Sequence, residues 1–287
     1  ETYVERIVSK ALQNKISIIA LHTRLDNHPE GVNHEICKRI GLYKTEALIP
    51  KKDTLKKLVV YVPKNKAEKV LKALHKAGAG NLENYTECSF LLEGKGQFMG
   101  NMESDPHIGR KLEKVSVDEV QINVVFESYL TGKVQKALFE AHPYETVAYE
   151  MYGLLNSYNN VGMGKIGFLK NETNRIDFLK NLKKIFNTGH IRYNNYKGEK
   201  LNKIAVLGGS GSFAIDQAKK KGADAFITAD LKYHQFFQAD GEILLIDIGH
   251  YESEQYTKNL IFDYLTKKLP NFAVALSKTK TNPVNYI

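Results

Sequence analysis

Three apolar runs constrain this chain more than any other feature. "NKIAVLGG" (202–209), "ADAFITAD" (223–230) and "EILLIDIGH" (242–250) are short, rich in aliphatic residues, and separated by polar stretches. A run without polar alternation is buried on both faces, and such strands belong to sheets that helices cover on each side. The segments "NRIDFLKNLKKIF", "FAIDQAKKKG" and "YHQFFQA" stand before and between the runs and supply helices. The predicted class is therefore α/β, with a core of largely parallel sheet flanked by helices. At the start of the chain, "YVERIVSKALQNK" reads as a helix and "ISIIALH" as a strand of the same layer. The first residue is Glu1 and this helix is already under way, so natural sequence is expected upstream.

Between these two parts of the core lies a segment whose element order closes on itself. "KKLVVYVP" predicts a strand, and "NKAEKVLKALHKAG" a helix with Val70, Leu71 and Leu74 on one face. Strand-like "NYTECSFLLEG" and "VDEVQINVVFE" follow, then the helix "YLTGKVQKALFEAH" and the strand "TVAYEMYGL". Strand–helix–strand–strand–helix–strand is the split βαβ, ferredoxin-like pattern. The predicted organisation is residues 1–54 as the first part of the α/β core, 55–155 as an inserted α+β domain, and 156–287 as the rest of the core. A chain of 287 residues is long enough for two such domains.

Composition excludes several function classes. No apolar run reaches the length of a membrane span and no signal peptide opens the sequence. Cys37 and Cys88 form no ligand pattern, which points to two free thiols in a reducing cytoplasm. The net charge of +9 raises nucleic acid as a partner. The lysines are scattered over polar helix faces, however, and no nucleic-acid motif accompanies them, so a solvated surface is the better reading.

Two histidine–carboxylate pairs share one context. His22 ends an apolar run with Asp26 four residues on, and His250 ends another with Glu254 four residues on. If a helix begins just after Gly249, His250 and Glu254 project from one face of it. Carboxyl ends of strands are where open α/β sheets place their sites, and imidazole with carboxylate suits divalent cations. Packing and helix capping are the alternative reading of each pair. "LGGSGSF" lacks the endings of phosphate-binding loops and reads as a tight strand-to-helix turn, with Ser210 and Ser212 able to line a pocket. Asp230 reads as a helix cap, and His234 as a residue that could face the same sheet edge. "AHPYE" (141–145) reads as a packed turn.

The motifs "HTRLD", "GVN", "GMGKIG", "VLGGSGS", "GADAFITAD", "YH" and "DIGHYESE" occur in the order found in the NIF-three-like family, the GTP cyclohydrolase 1 type 2 homologues. "AGAGNLENYTECSF", "GKGQF" and "AHPYETVAYEMY" resemble the PII-like domain inserted in its longer bacterial members. The resemblance covers nearly the whole chain. It implies a cytoplasmic homohexamer with two divalent metal ions per subunit in the full-length protein, zinc foremost. By the motif match, Asp26, His250 and Glu254 would be metal ligands, with Glu254 bridging. His22 would be an extra ligand or stand just outside the ligands, and His234 is the reserve. The sequence departs from the family in two places. An adjacent His-His pair upstream of "HTRLD" is missing, since none of the nine histidines has a histidine neighbour, and Ala229 replaces a customary glycine.

The resemblance implies a metal-dependent hydrolase acting on a nucleotide or phosphoester. The rival is a hexameric metal carrier, sensor or interaction scaffold without turnover. No membrane partner is expected, and the substrate is not legible.

Overall fold

In the computed structural model, residues 2–82, 84–156 and 161–285 are described. In chain order the elements are α1 (Tyr3–Gln13), α2 (His22–Asp26), α3 (Val32–Ile40), β1 (Leu42–Pro50), β2 (Leu55–Pro63), α4 (Ala67–Lys76), β3 (Ser89–Met99), β4 (Lys114–Glu127), α5 (Thr131–Ala141) and β5 (Tyr149–Gly153). There follow β6 (Gly162–Asn174), α6 (Arg175–Ile185), β7 (Arg192–Tyr193), β8 (Lys200–Ser210), α7 (Ile215–Lys220), β9 (Ala225–Ala229), β10 (Leu244–Asp247), α8 (His250–Glu254) and α9 (Thr257–Lys268). The chain divides into two compact units, 1–50 with 159–287, and 51–158. The segment 157–160, where the expected insert rejoins the core, lies outside the described residues.

The first unit is built on a six-stranded sheet in the order β1-β6-β8-β9-β10-β7. The three apolar runs become its parallel centre, with β8 beside β9 and β9 beside β10. Their side chains alternate between two covered faces. Ile204, Val206, Ile227 and Ile246 pack with Ile36 of α3 and Leu182 of α6. Ala205, Phe226 and Leu245 pack on the other face with Ile215 and Ala218 of α7. Burial on both faces accounts for the unbroken apolarity of these strands.

The sheet is mixed rather than largely parallel. β1 pairs antiparallel with β6, β6 with β8, and β7 with β10. Strand direction is set by how the chain returns to the sheet, which local composition does not encode. Two strands escape a reading by pattern. β1 mixes Lys44, Thr45 and Glu46 into its run. β6 carries Gly162, Gly164 and Gly167 within "GMGKIG". Gly164 needs to be glycine, since its φ is +68° and a Cβ there would stand 2.8 Å from the Val206 carbonyl oxygen.

A further expectation fails at "ISIIALH". Residues 16–21 join no strand, and His22 opens α2 instead. Ile16, Ile18 and Ile19 are exposed, Ile19 at 84%. Apolarity alone does not make a strand; a neighbouring strand edge must accept the backbone. The helix expected before it does form, as α1, with a Thr2–Glu5 capping box at its start.

The second unit has a four-stranded antiparallel sheet in the order β3-β4-β2-β5. Leu58, Val60 and Val62 of β2 and Ile122, Val124 and Phe126 of β4 face Val70 and Leu74 of α4 and Val134 and Leu138 of α5. Both helices cover one face of this sheet, and the polar residues Glu119, Gln121 and Asn123 alternate onto the other. His142 closes α5 with its Nε2 donating to the Tyr61 carbonyl at 3.0 Å and its Nδ1 accepting the Tyr144 amide at 3.1 Å. That pattern requires the neutral imidazole, and burial pushes its pKa down in the same sense. "AHPYE" is thus a packed turn tied to β2.

Candidate metal centre

Gly249 makes the corner between β10 and α8, with φ +93°. Its amide is held by Asp247 Oδ1 at 3.1 Å. Asp247 is itself fixed, because its Oδ2 accepts from Leu231 N at 3.0 Å and pairs with Arg192. The corner delivers His250 as the first residue of α8, and one turn later Glu254 returns to the same side. His250 Nε2 lies 3.6 Å from Glu254 Oε2.

Asp230 gives this pair its chemical direction. It follows β9 with φ +57°, a backbone state that aspartate tolerates better than most residues. Its Oδ2 accepts a hydrogen bond of 2.7 Å from His250 Nδ1–H. In the neutral imidazole that tautomer leaves the Nε2 lone pair free on the Glu254 side. A carboxylate behind one ring nitrogen is how metal-ligating histidines are commonly oriented. This role differs from the helix cap that the sequence leads one to expect at Asp230. The following 3-10 turn, Tyr233–Ala239, is instead preceded by Lys232 as its cap residue.

Asp26 and His22 come to the same cavity from α2. A cavity of about 990 Å³ is lined by His22, Asp26, His250 and Glu254, with Leu207, Phe213 and Tyr264 on its apolar side. Burial raises the Asp26 pKa, opposed by the charges of His22 and His250. Burial also raises that of Glu254, offset by His250 and His22 and reinforced by Asp26 and Asp230. For His250, burial disfavours the charged ring but is outweighed by the Asp230 hydrogen bond and by Glu254, Asp230 and Asp26, so its pKa lies above the ordinary value. These side chains feel one another as one electrostatic group. His234 is not part of it: it is exposed in the 3-10 turn and does not line the cavity.

The glycine-rich and "GVN" motifs serve this geometry. Asn33, 2% exposed, donates to the Asp26 carbonyl at 3.0 Å and accepts from Gly208 N at 2.9 Å, tying α2 to the end of β8. Gly31 lets the chain pass the Leu25 carbonyl oxygen, from which a Cβ would stand 1.9 Å. Gly209 donates to Ser253 Oγ at 2.9 Å. A Cβ on Gly209 would sit 2.5 Å from Glu254 Oε1 and 3.1 Å from His250 Nε2. The end of β8 within "LGGSGS", rather than a turn, is therefore a seat for these two side chains, with Ser210 on the cavity wall.

Gly209→Ala should destabilise the protein by about 1–3 kcal/mol through its φ of +68°, and should displace Glu254. Chemical denaturation beside a zinc titration reads both effects. Unchanged stability and unchanged zinc affinity would contradict the seating role.

Among the described residues, no group of three or more His, Cys, Asp or Glu side chains is gathered tightly enough to enclose a metal ion. The donor chemistry nevertheless suits a divalent cation of nitrogen and oxygen preference, with an oriented imidazole beside a carboxylate and a second carboxylate across the same cavity.

Comparison with known proteins identifies the family. The family profile Duf34/NIF3 (NGG1p interacting factor 3) matches residues 1–283. A Bacillus subtilis protein named "GTP cyclohydrolase 1 type 2 homolog" is 34% identical, across 98% of this chain and 77% of its own length. A protein of the same name from Halalkalibacterium halodurans is also 34% identical, across 100% of this chain and 78% of its own. The crystal structure of a Bacillus cereus protein related to NIF3 superposes with a TM-score of 0.85 at 37% identity, covering 98% of this chain and 77% of that one. Profile, sequence relatives and fold agree over nearly the full length, and the chain belongs to the Duf34/NIF3 family.

Proposed function

We propose that this protein is a divalent-metal-binding member of its family, and that the metal serves hydrolysis of a nucleotide or related phosphoester. The observation that carries the metal reading is the Asp230–His250–Glu254 arrangement, with His250 Nδ1 bonded to Asp230 and Nε2 turned to Glu254. His250 Nε2 and the carboxylates of Glu254 and Asp26 would hold the ion, zinc first among candidates. His22 stands near as a further donor, and His234 has no part. The proposal extends to two ions, for which Glu254 would be a donor common to both. When bound, such ions supply Lewis acidity toward a phosphoryl or carbonyl oxygen.

The chain's own residues have separate tasks. Asp230 fixes the tautomer and angle of His250. Asn33 and Ser253 hold the backbone that carries Asp26 and Gly209. The apolar wall of Leu207, Phe213 and Tyr264 offers a heterocyclic base a dry surface next to the polar end of the cavity. The name that the relatives carry supports a purine nucleotide as the first substrate to test.

The proposed assembly is a cytoplasmic homohexamer, and the unit 51–158 is proposed as a ferredoxin-like, PII-like insert. Its element order and antiparallel sheet support that reading. Both cysteines are free, in keeping with a reducing compartment. Among the described residues no helix is long and apolar enough to cross a membrane.

The test is metal analysis of the purified protein, then turnover of GTP and a phosphoester panel with each candidate metal. Metal-dependent turnover is expected. Stoichiometric metal without turnover of any substrate would favour a metal carrier or scaffold instead.

A further inference from the structure

The second unit holds a cavity that the metal reading does not use. It lies on the helix-free face of the β3-β4-β2-β5 sheet, has a volume of about 580 Å³, and falls within the size range of small-molecule sites. Glu119 lines it, although the residue is only 8% exposed. Its Oε1 accepts from the Tyr144 hydroxyl at 3.1 Å. Among the described residues no lysine, arginine or histidine forms an ion pair with it, whereas the neighbouring carboxylates Glu93 and Asp118 are paired with Lys64 and Lys95. His142, which is near, is held neutral by its bonds to Tyr61 and Tyr144.

A buried carboxylate offers about four acceptor positions and is costly when it lacks a counter-charge. The chain nevertheless makes room for this one. Gly96 of "GKGQF" lies directly beneath the carboxylate, where a Cβ would stand 2.0 Å from Glu119 Oε2. Around it, Phe98 and Tyr144 meet edge-on at 5.7 Å, and His107 approaches the Tyr144 ring at 6.2 Å. The Asp105 amide donates to Glu145 Oε1 at 2.9 Å, which fastens the 100–113 loop over this face. Aromatic surfaces beside an unpaired buried carboxylate form a receptor for an organic cation, through cation–π contact and a charge-assisted hydrogen bond.

We propose that this cavity is a binding site for a small organic cation, a primary ammonium on an aromatic or apolar body, with Glu119 as the counter-charge and Phe98 and Tyr144 as walls. The site is independent of the metal reading, because it stands on residues of the second unit alone.

Isothermal titration of the full chain with benzylamine near neutral pH tests the assignment, with benzyl alcohol as the neutral match. Benzylamine should bind at one site per chain and at least about tenfold more tightly than the alcohol, the difference expected of a hydrogen bond to a charged group. Glu119→Gln should remove most of that difference. A soaked crystal should show the ammonium against Glu119. Equal affinity for amine and alcohol, no benzylamine binding up to millimolar concentration, or full affinity in Glu119→Gln would overturn the proposal. Should Glu119→Gln fail to fold, the amine–alcohol comparison in the unaltered protein decides.

Discussion

His250→Ala should weaken divalent-metal binding by more than about a hundredfold while leaving the fold intact. The side chain is half exposed, with no place in either face of the first unit's core. Its loss therefore removes a donor without opening a cavity. Changing a residue that only orients a ligand typically costs 10–100-fold in affinity, so loss of the ligand itself should exceed that. Asp230→Asn supplies the graded comparison. The amide can still reach Nδ1, but it no longer offers the carboxylate that selects the Nε2 lone pair, and a loss of about 10–100-fold is expected. Competition against a chromogenic chelator measures both variants, and circular dichroism checks the fold. Wild-type affinity in His250→Ala would remove the histidine from the site. Equal losses in both variants would mean that Asp230 does more than orient.

The largest stability effect is expected from Phe226→Ala, at about 3–5 kcal/mol. Phe226 lies on β9, between β8 and β10, with 0% exposure. It belongs to one buried cluster with Leu48, Ile166, Ala205, Ile215 and Leu245, which come from four strands and α7. These neighbours belong to a paired sheet and cannot collapse into the space that the ring vacates. A total stability of about 5–15 kcal/mol is ordinary, so the loss would be a large fraction of it. Phe237→Ala is the matched control. That ring is 69% exposed, and a change within about 0.5 kcal/mol is expected. Urea denaturation followed by far-UV circular dichroism measures both. Similar small losses would show that the β9 face is not the packed core described.

What the sequence makes legible follows from which forces are local. β8, β9 and β10 are readable because burial on two faces leaves an unbroken apolar run in each. His250 and Glu254 are readable because a spacing of four residues on a helix is a fixed geometric fact. β6 is not readable, because the glycines that let it approach β1 and β8 look like loop residues. Residues 16–21 mislead in the opposite direction, since their apolarity has no strand edge to answer it. The antiparallel placement of β1, β6 and β7 depends on chain connections that no short window contains. Asp230 is invisible for a related reason. Its partner lies twenty residues away, and only the left-handed turn after β9 brings its carboxylate behind the imidazole.

Anomalous diffraction from zinc-soaked crystals shows whether His250 Nε2, Glu254 and Asp26 share a divalent ion, as proposed. The expected result is a zinc peak about 2.0–2.2 Å from His250 Nε2 and from a Glu254 carboxylate oxygen, with Asp26 drawn to the same ion and Asp230 still on Nδ1. A peak bound elsewhere, with the Asp230–His250–Glu254 arrangement unchanged and empty of metal under saturating zinc, would contradict it.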